Sequence, residues 1–191
     1  MNKKPHKFDP DFAGSLLSGE REKEGSAQSM IRFSGVNKDS VAVDFGCGPG
    51  FLTLPLAKKA STVYAVDINQ RMLDMVNERA KREHLKNIQT VKSTEYSLRV
   101  PEKADYVFAL SLVHEVVRKR KMFQVFHALL KEKGRLIVAD WRADPKNWDF
   151  GPPARERIDK KDMVELAAGL FKLKKEKVMD IQYYLLFEKT G

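Results

Sequence analysis

The hydrophobic pattern of the chain is dominated by short apolar runs rich in β-branched residues. Four of them stand out, at Val41–Phe45, Thr62–Val66, Tyr106–Leu112 and Arg135–Ala139. Uninterrupted apolar runs of this length are typical of strands that are buried on both faces, as in a parallel sheet. The pattern therefore predicts four buried strands, and a weaker run at 88–91 predicts a fifth.

Between the predicted strands, apolar residues recur at helical spacing. From residue 72 to residue 80 they lie four positions apart, and Asn69 stands before them at the position of a helix N-cap. A second stripe, from 122 to 130, predicts a helix that ends at Gly134. Strands that alternate with helices in this way indicate an α/β domain.

The C-terminal region departs from this alternation. Asp159 stands at the N-cap of a further predicted helix, and two predicted strands follow at about 173–179 and 182–188. Only a few residues around Asp180 separate these strands, whereas a parallel crossover needs roughly a dozen. The pattern therefore predicts a doubly wound α/β domain that ends in an antiparallel hairpin.

The first 38 residues are polar and mixed, and only 28–33 has the apolar spacing of a packed helix. We therefore divide the chain into an N-terminal helical lid segment, residues 1–38, and a main domain, residues 39–191. The opening sequence MNKKPHKFDPDFAG has no apolar core of the kind a signal peptide requires.

Composition excludes several classes of function. The net charge of +9 is compatible with anionic small molecules, with nucleic acid or with neither. No run approaches the ~18 uninterrupted apolar residues of a membrane span. Cys47 is the single cysteine, which excludes an internal disulfide framework and a cysteine-rich metal site. We expect a cytoplasmic protein with no metal.

The most informative segment is the glycine loop after the first predicted strand, Asp-Phe-Gly-Cys-Gly-Pro-Gly at 44–50. Glycines permit positive φ and close approach of a ligand, and a following helix N-terminus favours polar groups. Phe51 stands where the dinucleotide fingerprint GxGxxG places its last glycine. A carboxylate at Asp44 is poorly placed for a pyrophosphate and suits a ligand with a positive charge, such as an amino group or a sulfonium.

A second carboxylate, Asp67, ends the second predicted strand, 17 positions after Gly50. The carboxyl ends of neighbouring parallel strands meet at one edge of a sheet, where a carboxylate binds the vicinal hydroxyls of a ribose. A lone acid at a strand end is often a helix cap. Two acids in one βαβ unit favour a nucleoside site.

These motifs resemble those of a known family. VAVDFGCGPGFLTLPLA and VYAVDINQRMLDMV resemble the S-adenosylmethionine-binding core of class I methyltransferases, in the small branch related to ubiquinone and menaquinone biosynthesis. ADYVFALSLVHEVV and ALLKEKGRLIVADW resemble later motifs of the same family. The likeness extends over about 38–141 and implies a Rossmann-like seven-stranded sheet, mostly parallel, with an antiparallel C-terminal strand.

The resemblance also implies the cofactor-binding residues. Asp44 and the glycines hold the methionine part of S-adenosylmethionine, Asp67 takes the ribose hydroxyls and Ile68 lies beside the adenine. The family usually has an acid after the third strand that contacts the adenine amine; here Thr94 stands at that position and Glu95 follows, and either could make the contact. The full implied set lies at the strand ends: Asp44, Gly46, Gly48, Gly50, Asp67, Ile68, Thr94, Glu95 and Leu110.

Methyl transfer from a sulfonium needs alignment and exclusion of water, and some acceptors also need a general base. His114, after the fourth predicted strand, is a candidate base, with a structural hydrogen bond as the alternative. Asp140, at the end of the fifth, is a candidate base or substrate ligand, with a loop hydrogen bond or helix cap as the alternative. Trp141, Trp148 and Phe150 could wall an apolar acceptor pocket, although scattered aromatics are more often simple packing.

We therefore expect S-adenosylmethionine-dependent methyl transfer to a small-molecule acceptor. The turn after the fourth strand lacks the Asn/Asp-Pro-Pro-aromatic motif of nucleobase amine methylation, and Cys47 lies in the cofactor loop, away from any role as nucleophile. RNA or protein methylation remains an alternative, favoured only by the net charge of +9, to which the basic runs at 118–121 and 172–177 contribute. Nucleic acid is not favoured, since such runs are usually solvated faces. A non-catalytic S-adenosylmethionine-binding module is an alternative of a different class.

Overall fold

A seven-stranded sheet forms the centre of the computed structural model, which describes residues 27–94, 96–144 and 151–191. The strands are β1 Val41–Phe45, β2 Thr62–Asp67, β3 Ile88–Lys92, β4 Ala104–Leu110, β5 Leu130–Trp141, β6 Phe171–Val178 and β7 Gln182–Lys189. They lie in the order β3-β2-β1-β4-β5-β7-β6. Neighbours among β1 to β5 are parallel, and β7 is antiparallel to both β5 and β6. The predicted fold, mostly parallel with an antiparallel C-terminal hairpin, is confirmed.

Five helices of the described residues connect or cover these strands. They are α1 Ala27–Ser34, α2 Thr53–Ala57, α3 Gln70–Arg82, α4 Lys119–Leu129 and α5 Lys160–Ala167. Both predicted caps are present, because the Asn69 side chain accepts a hydrogen bond from the backbone N–H of Arg71 and Asp159 accepts one from that of Lys161. Local sequence thus sets where α3 and α5 begin.

The helices bury both faces of the sheet. On one face, α4 and α5 contribute Phe123, Phe126 and Met163 to a large apolar cluster. On the other, α1 and α2 contribute residues such as Phe33 and Leu56. Strand β7 supplies alternate residues to the two clusters, as expected for a strand between two layers.

Several predicted boundaries differ from the structure: β5, predicted at 135–139, runs from Leu130 to Trp141, and two further differences have a clear physical reason. Strand β4 ends at Leu110 and not at Leu112, since Ser111 has a φ of +49° and turns the chain out of the sheet. The predicted helix end at Gly134 is wrong, because α4 ends at Leu129 and the chain enters β5 at once. Gly134 lies within β5, where a Cβ would stand 2.8 Å from the carbonyl oxygen of Lys131.

The parallel strands all end at one edge of the sheet, which we call the carboxyl edge. Strand β1 lies between β2 and β4, so the loops after β1 and β4 leave the sheet side by side on opposite faces. Such a switch point is where open α/β sheets bind their ligands. The loops after β1, β2, β3 and β4 and the end of β5 therefore meet where the sequence predicts the site.

Candidate functional site

The glycine-loop half of the carboxyl edge comprises residues 44–50, 67–68 and 93–94. The loop after β1 begins with two backbone N–H groups, of Gly46 and Cys47, that donate to the carbonyl oxygen of Val66 at 2.8 and 3.0 Å. Gly46 has a φ of +73°, and a Cβ there would lie 2.8 Å from Leu112 Cδ1. The chain therefore needs glycine here for its conformation and for the close approach of the neighbouring loop.

Asp44 is the buried carboxylate at the end of β1. Its side chain is 2% exposed, and its Oδ2 accepts a hydrogen bond of 2.6 Å from the hydroxyl of Thr53. Thr53 is the first residue of α2, so this bond ties the strand to the helix across the glycine loop. The strand end thus carries a fixed, desolvated acceptor beneath the loop.

Asp67 is the second carboxylate and lies at the end of β2. Its Oδ2 accepts from the backbone N–H of Gly48 at 2.9 Å, and its Oδ1 accepts from that of Asn69 at 2.8 Å. Burial raises the pKa of this carboxyl above its ordinary value, while the N–H groups of Asn69 and Gly48 act in the opposite direction. Each oxygen keeps a further lone pair for a ligand hydroxyl, because an ionised carboxylate has about four acceptor positions.

The residues after β2 and β3 surround this carboxylate. Ile68 is 45% exposed, which offers an apolar surface beside Asp67. Thr94 is exposed, and its hydroxyl donates to the carbonyl oxygen of Ser97 at 3.3 Å. Glu95, the other residue predicted at this position, lies outside the described residues.

Ser93 is a residue of this half that the sequence analysis missed. Its backbone N–H donates to the carbonyl oxygen of Asp67 at 3.0 Å, and its side chain is buried. Its hydroxyl has no hydrogen-bond partner among the described residues. A buried hydroxyl without a partner is costly, so it marks a position where a ligand atom would stabilise the site. The signal in the sequence was a small hydroxylic residue at a strand end.

Cys47 lies inside the same loop. It is buried, and burial together with the nearby charges of Asp44 and Asp67 raises the pKa of its thiol well above the ordinary value. Because the thiolate is the nucleophilic form, this environment keeps the side chain inert. The Cys47 side chain therefore packs within the loop.

The histidine half of the carboxyl edge comprises residues 110–115, 140–141 and 182. A 3₁₀ turn at 113–115 places His114 against the end of β5. Its Nδ1 lies 2.7 Å from Oδ1 of Asp140, and its backbone N–H donates to Oδ2 at 3.3 Å. His114 is 5% exposed and Asp140 is fully buried. The structure therefore brings together the two residues that the sequence predicted as catalytic.

The electrostatics of the His114–Asp140 pair govern the pKa of the imidazole and the tautomer of its neutral form. Burial lowers the pKa of His114 more than any other single influence, but the charge and hydrogen bond of Asp140, with help from Glu115, raise it above its ordinary value. The carboxylate accepts the Nδ1 proton, so the neutral ring carries its lone pair on Nε2. Such a ring can take a proton at Nε2 while Asp140 holds it in place.

Strand β7 contributes a residue that the sequence analysis did not consider. Gln182 is 3% exposed, and its Nε2 donates to the hydroxyl of Ser111 at 3.2 Å. The backbone N–H of Ser111 donates to the carbonyl oxygen of Ala139 at 2.7 Å. Leu110, a predicted cofactor residue, is half-buried immediately before this turn. No short-range pattern links positions 111 and 182, so sequence alone carried no signal for the contact.

Trp141 is the aromatic residue of the predicted acceptor wall that the structure describes. Gly151 packs on its ring, since a Cβ there would meet ring carbons at 2.8 Å, and the Arg157 guanidinium lies 5.6 Å from the ring centroid. Trp148 and Phe150 lie outside the described residues. The tryptophan is thus 5% exposed and packed by a following loop.

The lysines of β6 do not form one free surface. The Lys175 ammonium donates to the carbonyl oxygen of Phe33 at 3.3 Å, and Lys177 donates to the Ser29 hydroxyl at 3.3 Å. Lys174 lies 3.3 Å from Glu188 on the neighbouring strand. Part of the basic run therefore attaches α1 to the sheet.

The described residues hold neither a metal-binding cluster nor a membrane-spanning helix. Within 27–94, 96–144 and 151–191, no group of three His, Cys, Asp or Glu side chains could hold a metal ion. The helices of these same ranges are all too short or too polar to cross a membrane.

Comparison with known proteins identifies the domain. Residues 42–134 match a family described as "Methyltransferase domain". The fold is similar to that of a SAM-dependent methyltransferase from Aquifex aeolicus, with a TM-score of 0.84, 22% identity and coverage of 96% of this chain and 100% of that one. Residues 42–134 thus carry a methyltransferase domain, and the described chain has the fold of S-adenosylmethionine-dependent methyltransferases.

Further relatives agree with this family. A putative type 11 methyltransferase from Sulfolobus solfataricus is 26% identical with a TM-score of 0.71, over 86% of this chain and 91% of that one. The ubiquinone biosynthesis O-methyltransferase of Bartonella tribocorum is 28% identical over 116 residues, 61% of this chain and 47% of the relative. The methyltransferase domain thus spans less than half the length of the first curated relatives that it matches.

Proposed function

We propose that this chain binds S-adenosylmethionine at the glycine-loop half and transfers its methyl group to a small-molecule acceptor at the histidine half. The observation that carries the proposal is a pair of carboxylates, the buried Asp44 and the partly buried Asp67, at the ends of neighbouring strands around a loop that requires glycine. The membership of the methyltransferase family supports it.

The residues of the glycine-loop half fit the two ends of this cofactor. The Asp44 carboxylate suits the positively charged amino group of the methionine part, and glycines in the loop leave no side chain to hinder the approach of that part. The Asp67 carboxylate suits the ribose hydroxyls, with Ile68 as the apolar surface beside the adenine. The partnerless Ser93 hydroxyl and the neighbouring Thr94 suit the polar edge of the base. Glu95 remains a candidate for the same contact.

When bound, S-adenosylmethionine supplies a methyl group on a sulfonium, which is a good leaving group. The protein then has to align the acceptor, exclude water and, where the acceptor carries a proton, remove it. In our proposal His114 accepts that proton at Nε2. Asp140 holds the imidazole by its 2.7 Å contact at Nδ1 and stabilises the imidazolium that forms.

A small-molecule acceptor is supported by the similarity to the enzyme named ubiquinone biosynthesis O-methyltransferase. In the histidine half, Trp141 is a large apolar side chain next to Asp140, and its ring contacts Gly151 and the Arg157 guanidinium. We propose residues 1–38 as the lid segment over the main domain, 39–191, and a cytoplasmic location in accord with one buried, unreactive thiol.

The proposal is tested by calorimetric titration of the protein with S-adenosylmethionine, S-adenosylhomocysteine and NAD. We expect micromolar binding of the two sulfur ligands and none of NAD. Replacing Asp67 by Ala should weaken the binding by about 100-fold, because two charge-assisted hydrogen bonds to the ribose are lost. Absence of binding by either sulfur ligand would refute the proposal.

The matched control is Asp74→Ala. Asp74 is an exposed acid on α3 whose Oδ1 accepts from Gln70, and it lies outside the carboxyl edge. This variant should bind S-adenosylhomocysteine as the unaltered protein does. An equal loss in both variants would mean that general charge, and not the Asp67 position, governs binding.

A further inference from the structure

The turn at Ser111 is the one described backbone feature of the carboxyl edge that combines strain with a buried side-chain contact. Its φ of +49° lies in the left-handed region, although serine has a Cβ. That conformation costs an L-residue on the order of 1 kcal/mol or more, so it persists only where neighbouring groups enforce it.

Two hydrogen bonds hold the turn. The Ser111 N–H donates to the carbonyl oxygen of Ala139 at 2.7 Å, which extends the β4–β5 pairing by one residue. The Gln182 amide donates to the Ser111 hydroxyl at 3.2 Å from the other side of β5. Gln182 is buried at the start of β7, directly opposite Trp141, so its amide cannot exchange this partner for bulk water.

The turn directs two of the three residues that follow it, Leu112 and His114, to the two halves of the carboxyl edge. Leu112 fills the space beside Gly46, where a side chain at position 46 would approach it to 2.8 Å. His114 then meets Asp140 at 2.7 Å. An extended residue at position 111 would carry both side chains along the direction of β4, away from these partners.

We propose that Gln182 is a positioning residue of the transfer site: by holding the left-handed turn at Ser111, it sets Leu112 against the glycine loop and His114 against Asp140. This inference rests on the proposed function for its meaning in catalysis. The geometry of the Ser111 turn does not depend on the cofactor, so the positioning role of Gln182 and the proposed function can be tested separately.

The experiment compares Gln182→Leu with the double variant Gln182→Leu, Ser111→Gly. Removing the amide should shift the NMR resonances of His114 and weaken S-adenosylhomocysteine binding by up to about tenfold, the value reached when the whole free energy of the lost Gln182–Ser111 hydrogen bond is coupled to binding. Glycine adopts positive φ without strain, so the double variant should regain most of the affinity and the original His114 resonances. A merely structural loss of packing at Gln182 would not be rescued at position 111.

The matched control is Gln89→Leu, on β3, where the side chain is exposed and remote from the turn. Should Gln182→Leu not fold, Ser111→Val tests the turn from its other side, since a β-branched residue disfavours positive φ and should cause the same two changes. The inference is overturned if Gln182→Leu behaves as Gln89→Leu does, or if the double variant recovers neither readout. If the unaltered protein does not bind S-adenosylhomocysteine, the proposed function fails, and the His114 resonances alone then decide the role of Gln182.

Discussion

The two halves of the carboxyl edge are built from contacts of different range. In the glycine-loop half, Asp67 reaches Gly48 across 19 positions of one βαβ unit. In the histidine half, His114 depends on Asp140, 26 positions away, and Ser111 depends on Gln182, 71 positions away. The hydrogen bonds of the Asp44 and Asp67 carboxylates are completed within one βαβ unit, whereas the histidine half exists only once β5 and β7 have joined the sheet.

The difference also concerns how charge is buried. The carboxylates of the glycine-loop half accept hydrogen bonds from a hydroxyl and from backbone N–H groups, and Asp67 is only partly buried. In the histidine half, Asp140 is fully buried and its partner is itself a titratable ring. Loss of one partner of a buried ion pair is more costly than loss of a partly solvated contact. The histidine half should therefore be the more sensitive to single substitutions and to pH.

The largest effect is expected for Asp140→Asn. We expect the free energy of unfolding to fall by about 3 kcal/mol at low pH, because the buried imidazolium loses its charged partner. The folded pKa of His114 is raised, so this stabilisation is fully present below the ordinary histidine pKa of about 6.5 and is lost as the pH rises through the folded value. Urea unfolding at several pH values measures the free energy of unfolding, and NMR titration of His114 measures its folded pKa.

In Asp140→Asn, burial acts on His114 without the opposing carboxylate. The pKa of His114 in this variant should therefore fall below the ordinary histidine value. The control is Asp162→Asn, at an exposed acid on α5. If the two variants lost equal stability at every pH, the pair would not be the coupled unit described here.

A somewhat smaller effect on the free energy of unfolding is expected for Gly46→Ala and Gly50→Ala. This pair of variants tests whether the contact between Gly46 and Leu112 links the glycine-loop half to the histidine half. Both glycines have positive φ, so each substitution should lower the free energy of unfolding by about 2 kcal/mol and weaken S-adenosylhomocysteine binding. A Cβ at 46 meets Leu112, two residues before His114, whereas a Cβ at 50 meets Leu54 at 2.7 Å. Only Gly46→Ala should move the His114 resonances, and equal movement in both variants would contradict the assigned contact.

The smallest effect is expected within β7, where adjacent tyrosines face opposite layers. The Tyr183 hydroxyl donates to the carbonyl oxygen of Ile158 at 3.0 Å, whereas the Tyr184 hydroxyl is buried with no partner among the described residues. Tyr183→Phe should lower the free energy of unfolding by about 1 kcal/mol, and Tyr184→Phe should leave it unchanged or raise it by up to about 1 kcal/mol. Urea denaturation of the two variants in parallel measures these free energies of unfolding. A clear loss of stability in Tyr184→Phe would show that the Tyr184 hydroxyl has a hydrogen-bond partner.

Local signals predicted much of the fold. Apolar runs located the strands because residues buried on both faces leave little choice of side chain, and β1 was predicted residue for residue. Asn69 and Asp159 marked helix starts because their side chains accept from N–H groups two residues ahead. Gly134 misled because a glycine after a helix is usually a cap, while this one is required by the close approach of Lys131 within β5.

The sequence by itself determined the parts of the site that depend on short chain segments: the glycine loop, the carboxylates at the ends of β1 and β2, and the family motifs around them. The tertiary structure decided the rest. That His114 meets Asp140, that Gln182 holds the turn at Ser111, and that the Ser93 hydroxyl is left without a partner among the described residues all depend on strand order and register. Residues tens of positions apart leave no periodic mark, and only the pairing of β4, β5 and β7 brings them within hydrogen-bonding distance.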